Sequence, residues 1–167
     1  MTKRKNNPST VTAGTWTLEE PRGAAFASLL RASLRYADRA CLVVPELDEA
    51  PAPYLAILAR LDRFSMLPPR VARSWPGSPK SVTSRVFNYR FCTGLVECLI
   101  SSASGWFDWR LPERPEDLSL LRGDTEWIVS VTHERLVYLQ TERSVLNELL
   151  KEVPDMRIKS GPGFRGT

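Results

Sequence analysis

One histidine and three cysteines are spread over 167 residues. A lone imidazole excludes clustered-histidine metal centres, and the spacing from Cys92 to Cys98 is unlike the tight ligand pairs that hold zinc. Cys41, Cys92 and Cys98 are odd in number and sit among apolar neighbours. That fits reduced, buried thiols better than a disulfide framework, and so points to the cytoplasm. No run reaches the ~18–20 apolar residues of a membrane helix. The basic start Met1-Thr2-Lys3-Arg4-Lys5 is followed by Asn6-Asn7-Pro8-Ser9-Thr10, where a signal peptide would turn apolar, so neither export nor a membrane is expected. No glycine-rich loop joins a strand to a helix, and Gly161-Pro162-Gly163 falls in a C-terminal tail. Ser102-Ala103-Ser104-Gly105 reads as a helix end and not as a nucleophile elbow. No metal and no cofactor are expected.

The net charge of +4 is unevenly placed. Residues 1–16 hold Lys3, Arg4 and Lys5, residues 156–167 hold Arg157, Lys159 and Arg165, and neither stretch contains an acid. The 23 basic and 19 acidic residues therefore leave the body, 17–155, at −2. Basic tails can touch phosphate backbones, but a body of this balance is not a dedicated nucleic-acid surface. Arginine greatly outnumbers lysine, and alanine and leucine abound, as in proteins of GC-rich bacteria.

What is present is an ordinary globular composition, 43% apolar and 25% charged, long enough for one domain with a proper core. Helical spacing runs from Arg22 to Arg39, with Phe26, Leu29, Leu30, Leu34 and Ala37 on one face and Arg31, Arg35 and Arg39 on another. Those arginines either grip an anion or form a solvated face paired with acids. Cys41-Leu42-Val43-Val44 reads as a strand buried on both sides, followed by an acidic, proline-rich loop, Glu46–Pro53. A helix is expected over Tyr54–Phe64, closed by Pro68-Pro69. Strands are expected at Val71–Trp75 and Val82–Tyr89, joined by a turn at Trp75-Pro76-Gly77-Ser78. A helix from Cys92 to about Ser102 should end at Gly105. Pro115–Leu121 reads as a short helical turn, because proline suits a helix start and Glu116 and Asp117 complement its positive end. Trp127–Thr132 and Leu136–Gln140 read as a hairpin, and Thr141 as the cap of a last helix to Glu152. The expectation is an α+β fold, a single domain of about four helices packed on a mixed, mostly antiparallel sheet of four to six strands. A disordered basic tail, 1–16, and a flexible tail, 156–167, flank the domain, 17–155.

Two places carry candidate chemistry. His133 and Glu134 have the residue types of a general acid–base pair at a strand end, although neighbours on a strand point to opposite faces unless the backbone turns. Asp108 or Tyr89 would be their nearest helpers. The stretch from Arg63 to Val96 has many arginines, no acid before Val96, and interleaved aromatics, which suits an anionic partner or stacked bases. The binding candidates are Arg73, Trp75, Arg85, Tyr89, Arg90, Trp106 and Trp109. The two last tryptophans read either as an exposed recognition patch or as a core lid. Structurally, the aromatics can equally be core and the arginines paired with Asp108, Glu113, Glu116 or Asp117.

The order Trp75-Pro76-Gly77, Tyr89-Arg90, Trp109, Pro115-Glu116-Asp117-Leu118 and Thr132-His133-Glu134, across about residues 70–140, resembles a pattern in small uncharacterised bacterial cytosolic proteins. That resemblance implies a bacterial source and a compact one-domain form, and no mechanism. The expected function is a non-enzymatic accessory or interaction protein with a protein partner, in its most concrete form a toxin-neutralising immunity component. The rivals are a small enzyme using His133 and Glu134, and a nucleic-acid-associated protein using the tails and the Arg70–Arg90 stretch.

Overall fold

The computed structural model describes residues 13–45, 52–77 and 83–162. Eight strands form its frame: β1 (Gly14–Leu18), β2 (Arg39–Pro45), β3 (Arg70–Ala72), β4 (Ser84–Arg90), β5 (Glu116–Arg122), β6 (Thr125–Val131), β7 (Leu136–Thr141) and β8 (Ile158–Ser160). They make one sheet in the order β3-β4-β2-β5-β6-β7-β1-β8, and every neighbouring pair is antiparallel. Four helices are α1 (Ala24–Ser33), α2 (Ala52–Leu61), α3 (Thr93–Ser102) and α4 (Arg143–Glu152).

The helices share one core with one side of the sheet. Phe26, Leu29 and Leu30 of α1, Leu61 of α2, Leu95 and Leu99 of α3, and Leu146 and Leu149 of α4 pack with Leu42, Tyr89, Leu118, Leu120, Ile128 and Leu139 from the strands. Leu42 is fully enclosed at the centre of this layer, a burial that stabilises by about 1.5–3 kcal/mol. Side chains alternate along a strand, so Cys41 and Val86 emerge on the other side, where they join Leu121 in a smaller cluster with Ala72 and Trp75.

The expectation of a mixed, mostly antiparallel sheet of four to six strands is corrected: among the described residues the sheet has eight strands and is wholly antiparallel. The missed central strand is β5, in the stretch read as a helical turn. Pro115 leads directly into the strand, and Asp117, at φ 54, takes a left-handed backbone beside the register shift between β5 and β2. Leu118 to Leu121 are buried without a break, and the short alternation Asp117-Leu118-Ser119-Leu120 is outweighed in the sequence by the helix-start chemistry of Pro115-Glu116-Asp117. The other two missed strands are β1 and β8, which fall partly or wholly within 1–16 and 156–167. Trp16 anchors them: its Nε1 donates to the Thr141 carbonyl at 3.1 Å. Gly161 lies so close to that indole that a Cβ would sit 2.2 Å from Cε3.

Smaller corrections follow from local geometry. Helix α1 ends at Ser33, and Arg39 opens β2 instead of extending the helix. Thr141 closes β7, and Glu142 precedes the first turn of α4. Helix α3 ends at Ser102, before Gly105 is reached. Most of the Glu46–Pro53 loop, the start of the Val82–Tyr89 strand, and parts of both tails lie outside the described residues.

With Leu42 enclosed in this layer, Leu42→Ala should lower unfolding stability by about 2–5 kcal/mol. Leu67→Ala, at a residue 68% exposed, should change it by about 0.5 kcal/mol or less. Urea unfolding of the two variants checks the contrast.

Candidate functional site

His133 and Glu134 occupy a 3-10 turn, Thr132–Glu134, between β6 and β7, and Arg135 follows at φ 55. The backbone does turn there, bringing His133 Nε2 to 3.7 Å from Glu134 Oε1. Both side chains are open to water, 66% and 52% exposed. Nearby Asp108 is otherwise engaged: its carboxylate accepts from Arg22 at 3.0 and 3.3 Å and from the Ser104 backbone N–H at 2.8 Å. Burial pushes its pKa up, but the Ser104 and Arg22 hydrogen bonds outweigh this and hold it below the usual carboxylate range. Tyr89 is buried in the helix-side core, and burial drives its phenol well above the ordinary range. The acid–base types therefore meet only as a surface pair, without Asp108 or Tyr89 aligned on them.

The binding candidates scatter. Tyr89, Trp106 and Trp109 are buried in the helix-side core, where Trp106 meets Phe26 edge to face. The two tryptophans thus form part of the core and no exposed patch. Arg85 and Arg90 stand at opposite ends of β4 and, five residues apart in an unbroken register, on opposite faces of the sheet. Arg73 follows β3 and is exposed, whereas Trp75 is half-buried on the second face. The three arginines suspected of stacking on one helix brace three different elements. Arg31 pairs with Glu97 of α3 at 3.1 Å, Arg35 with Glu152 of α4, and Arg39 with Asp124 at 3.0 Å. By contrast Arg70, Arg73, Arg85 and Arg90 form no ion pair among the described residues.

The second face supplies the best-formed site. After β3 the chain crosses the sheet as a strap, Arg73 to Gly77. Trp75 Nε1 donates to Asp117 Oδ2 at 3.1 Å, and the Thr132 backbone N–H donates to Oδ1 at 2.8 Å. One buried carboxyl thus ties the strap to the β6–β7 turn. Gly77, at φ 74, is required twice over: it adopts a left-handed backbone, and a Cβ there would lie 2.5 Å from Val129 Cγ1.

Between the strap and the segment before β3 lies an open hollow of about 320 Å³. Its floor is Cys41, Val86, Asn88 and Leu121; Pro76 forms one wall, Met66, Leu67 and Arg70 another, and Arg39 and Asp124 the rim. Burial pushes the Cys41 thiol up to about 12, with Arg39 and Arg70 opposing in part. That thiol is a neutral, apolar floor group and not a nucleophile at neutral pH. Met66 and Leu67 are 49% and 68% exposed, and Val71 of β3 is 62% exposed.

The chain matches no protein-family model, no curated protein and no solved structure. No helix among the described residues is long and apolar enough to cross a membrane. Among those residues, no three His, Cys, Asp or Glu side chains gather in a metal-holding group. The arrangement at this hollow suits binding: a largely apolar floor, exposed apolar side chains, and Arg70 without an ion pair among the described residues. Sequence reasoning missed Asp117, Met66, Leu67 and Val71. The available signal was Met66-Leu67 ahead of Pro68-Pro69, two large apolar residues outside any periodic stretch.

Asp117→Ala should cost about 2–4 kcal/mol, since it leaves two donors without their acceptor. It should also speed labelling of Cys41 by a thiol reagent under native conditions; unchanged labelling would show that the strap stays closed without this contact. Glu116, beside Asp117, gives a pH test. Burial and then the Asp117 charge raise its pKa, against smaller opposing effects of the Leu111 backbone and His133. A carboxyl raised in the folded state costs stability as pH climbs through its titration. Glu116→Gln should therefore become the more stable protein as pH rises to neutrality, with the gap closing in acid, as read from melting temperature against pH.

Proposed function

We propose that this chain works by docking another protein without catalysing a reaction, and that the docking surface is the β3 end of the sheet. The observation that carries this reading is the coincidence of exposed Met66, Leu67 and Val71 with Arg70, Arg73 and Arg85, which form no ion pair among the described residues. Scattered exposed apolar residues need no explanation, but a group of them beside a concave floor marks an interaction surface. Cations around apolar contacts steer an acidic partner and raise its rate of encounter. Several ionisable residues elsewhere brace the fold: Arg22 pairs with Glu20 and Asp108, Arg31 with Glu97, and Arg35 with Glu152.

A component that masks a bacterial toxin is the most concrete form of this proposal. Such a role asks for a stable scaffold with one surface of correct shape and charge, and for no reactive centre. The free cysteines, two of them buried, support placing the chain in the cytoplasm.

The test is a photo-reactive amino acid placed at Leu67, with a second placement at His133 for comparison. In cells of the native host, the Leu67 probe should capture one protein species, and Val71→Asp should reduce that capture by about tenfold or more. Capture from His133 alone, or turnover of a metabolite by the purified protein that Glu134→Gln abolishes, would overturn the reading.

A further inference from the structure

The exposed apolar and cationic groups lie along an edge, not on a face. Among the described residues β3 is the terminal strand of the sheet and pairs only with β4, through Arg70↔Val86, Val71↔Arg85 and Ala72↔Ser84. Directly opposed residues share a side of the sheet. Arg70 therefore stands with Val86 on the second face, and Val71 stands with Arg85 on the side that carries the helices. Leu67, 68% exposed, borders the hollow on the second face, while Val71, 62% exposed, lies on the helix side. A partner resting on one face would cover only one of these groups. A strand added beside β3 would touch both, because its own side chains alternate across the sheet.

The two edges of this sheet are built differently. At the far edge, β8 has a half-buried isoleucine, Ile158, followed by exposed Lys159 and Ser160. A lysine on a short strand is a common device against unwanted pairing. At the near edge the middle residue is an exposed valine. Pro68-Pro69 confines the open backbone to the residues after it, since proline offers no N–H. Self-pairing of two β3 edges would bring Arg70 and Arg73 of one copy against those of another, a like-charge apposition that opposes it.

We infer that β3 accepts an extended, acidic segment of the partner protein as a ninth strand, with carboxylates of the segment facing Arg70 on the second face and its apolar side chains covering Val71 on the helix side. This rests on the docking reading above and adds the partner's conformation and charge.

The experiment uses the full chain and a capped peptide of alternating glutamate and valine. Its comparison peptides replace glutamate by lysine or carry N-methyl groups on alternate amides. The glutamate peptide should shift the amide resonances of Arg70, Val71 and Ala72 and slow hydrogen exchange at those whose N–H points away from β4; the lysine and N-methylated peptides should do neither. Arg70→Glu with Arg73→Glu should weaken the glutamate peptide by about tenfold or more and admit the lysine peptide. Because the peptide comparisons need no change to the protein, they stand even if that double variant folds poorly. Equal effects from glutamate and lysine peptides, changes confined to Asn88 and Leu121 in the hollow, or no change at all would overturn strand addition. If the Leu67 probe still captures a partner in that case, docking survives and only its strand geometry fails. If capture also fails, the docking reading falls with it.

Discussion

A sheet that carries helices on only one side must keep its other side either polar or covered, and here the central strands are too apolar for water. β2 is buried from Ala40 through Val44 on both its sides. The cover is a strap rather than a second helical layer, and the Asp117 carboxyl fastens it by accepting from the Trp75 indole and the Thr132 backbone. A buried carboxyl is tolerable only when its oxygens find donors, and these two donors come from chain segments far apart in sequence. The left-handed backbone of Asp117 beside a register shift aims the side chain where both can reach it. The hollow, the position of Pro76 in its wall and the placement of the His133 turn all follow from that one anchor.

Much of the architecture was readable wherever a single physical pattern governed a segment. The stripes of α1, α3 and α4 and the alternation of β7 follow the helical and strand periods closely, because each has one buried side. β2 also reads correctly, since a short continuous apolar run can only be enclosed on both faces. β5 is enclosed on both faces too, but Pro115-Glu116-Asp117 carries the chemistry of a helix start, and tertiary pairing with β2 and β6 overrides it. β1 and β8 escape detection because they are short and draw their stability from partners, chiefly the Trp16 indole wedged against Thr141 and Gly161.

The site was less legible than the fold. Residue type located His133, Glu134 and the arginines, but type says nothing about convergence. Tyr89, Trp106 and Trp109 have the chemistry of recognition and the burial of core residues. The arginines divide by position in a way no spacing predicts: those at 31, 35 and 39 brace neighbouring elements, while those at 70, 73 and 85 surround an edge. Exposed ion pairs of the first kind contribute little stability each, so their main effect is to neutralise charge where the elements they join meet.

The strand order has a practical corollary for attaching cargo. β1 and β8 are neighbours at one margin of the sheet, six and seven inter-strand intervals from β3 at the opposite margin, or roughly 29 and 34 Å along the sheet at the usual ~4.8 Å spacing. A fluorescent reporter, solid support or additional domain joined directly at residue 13 or 162 would be tethered beside β1 and β8, at the margin remote from Val71.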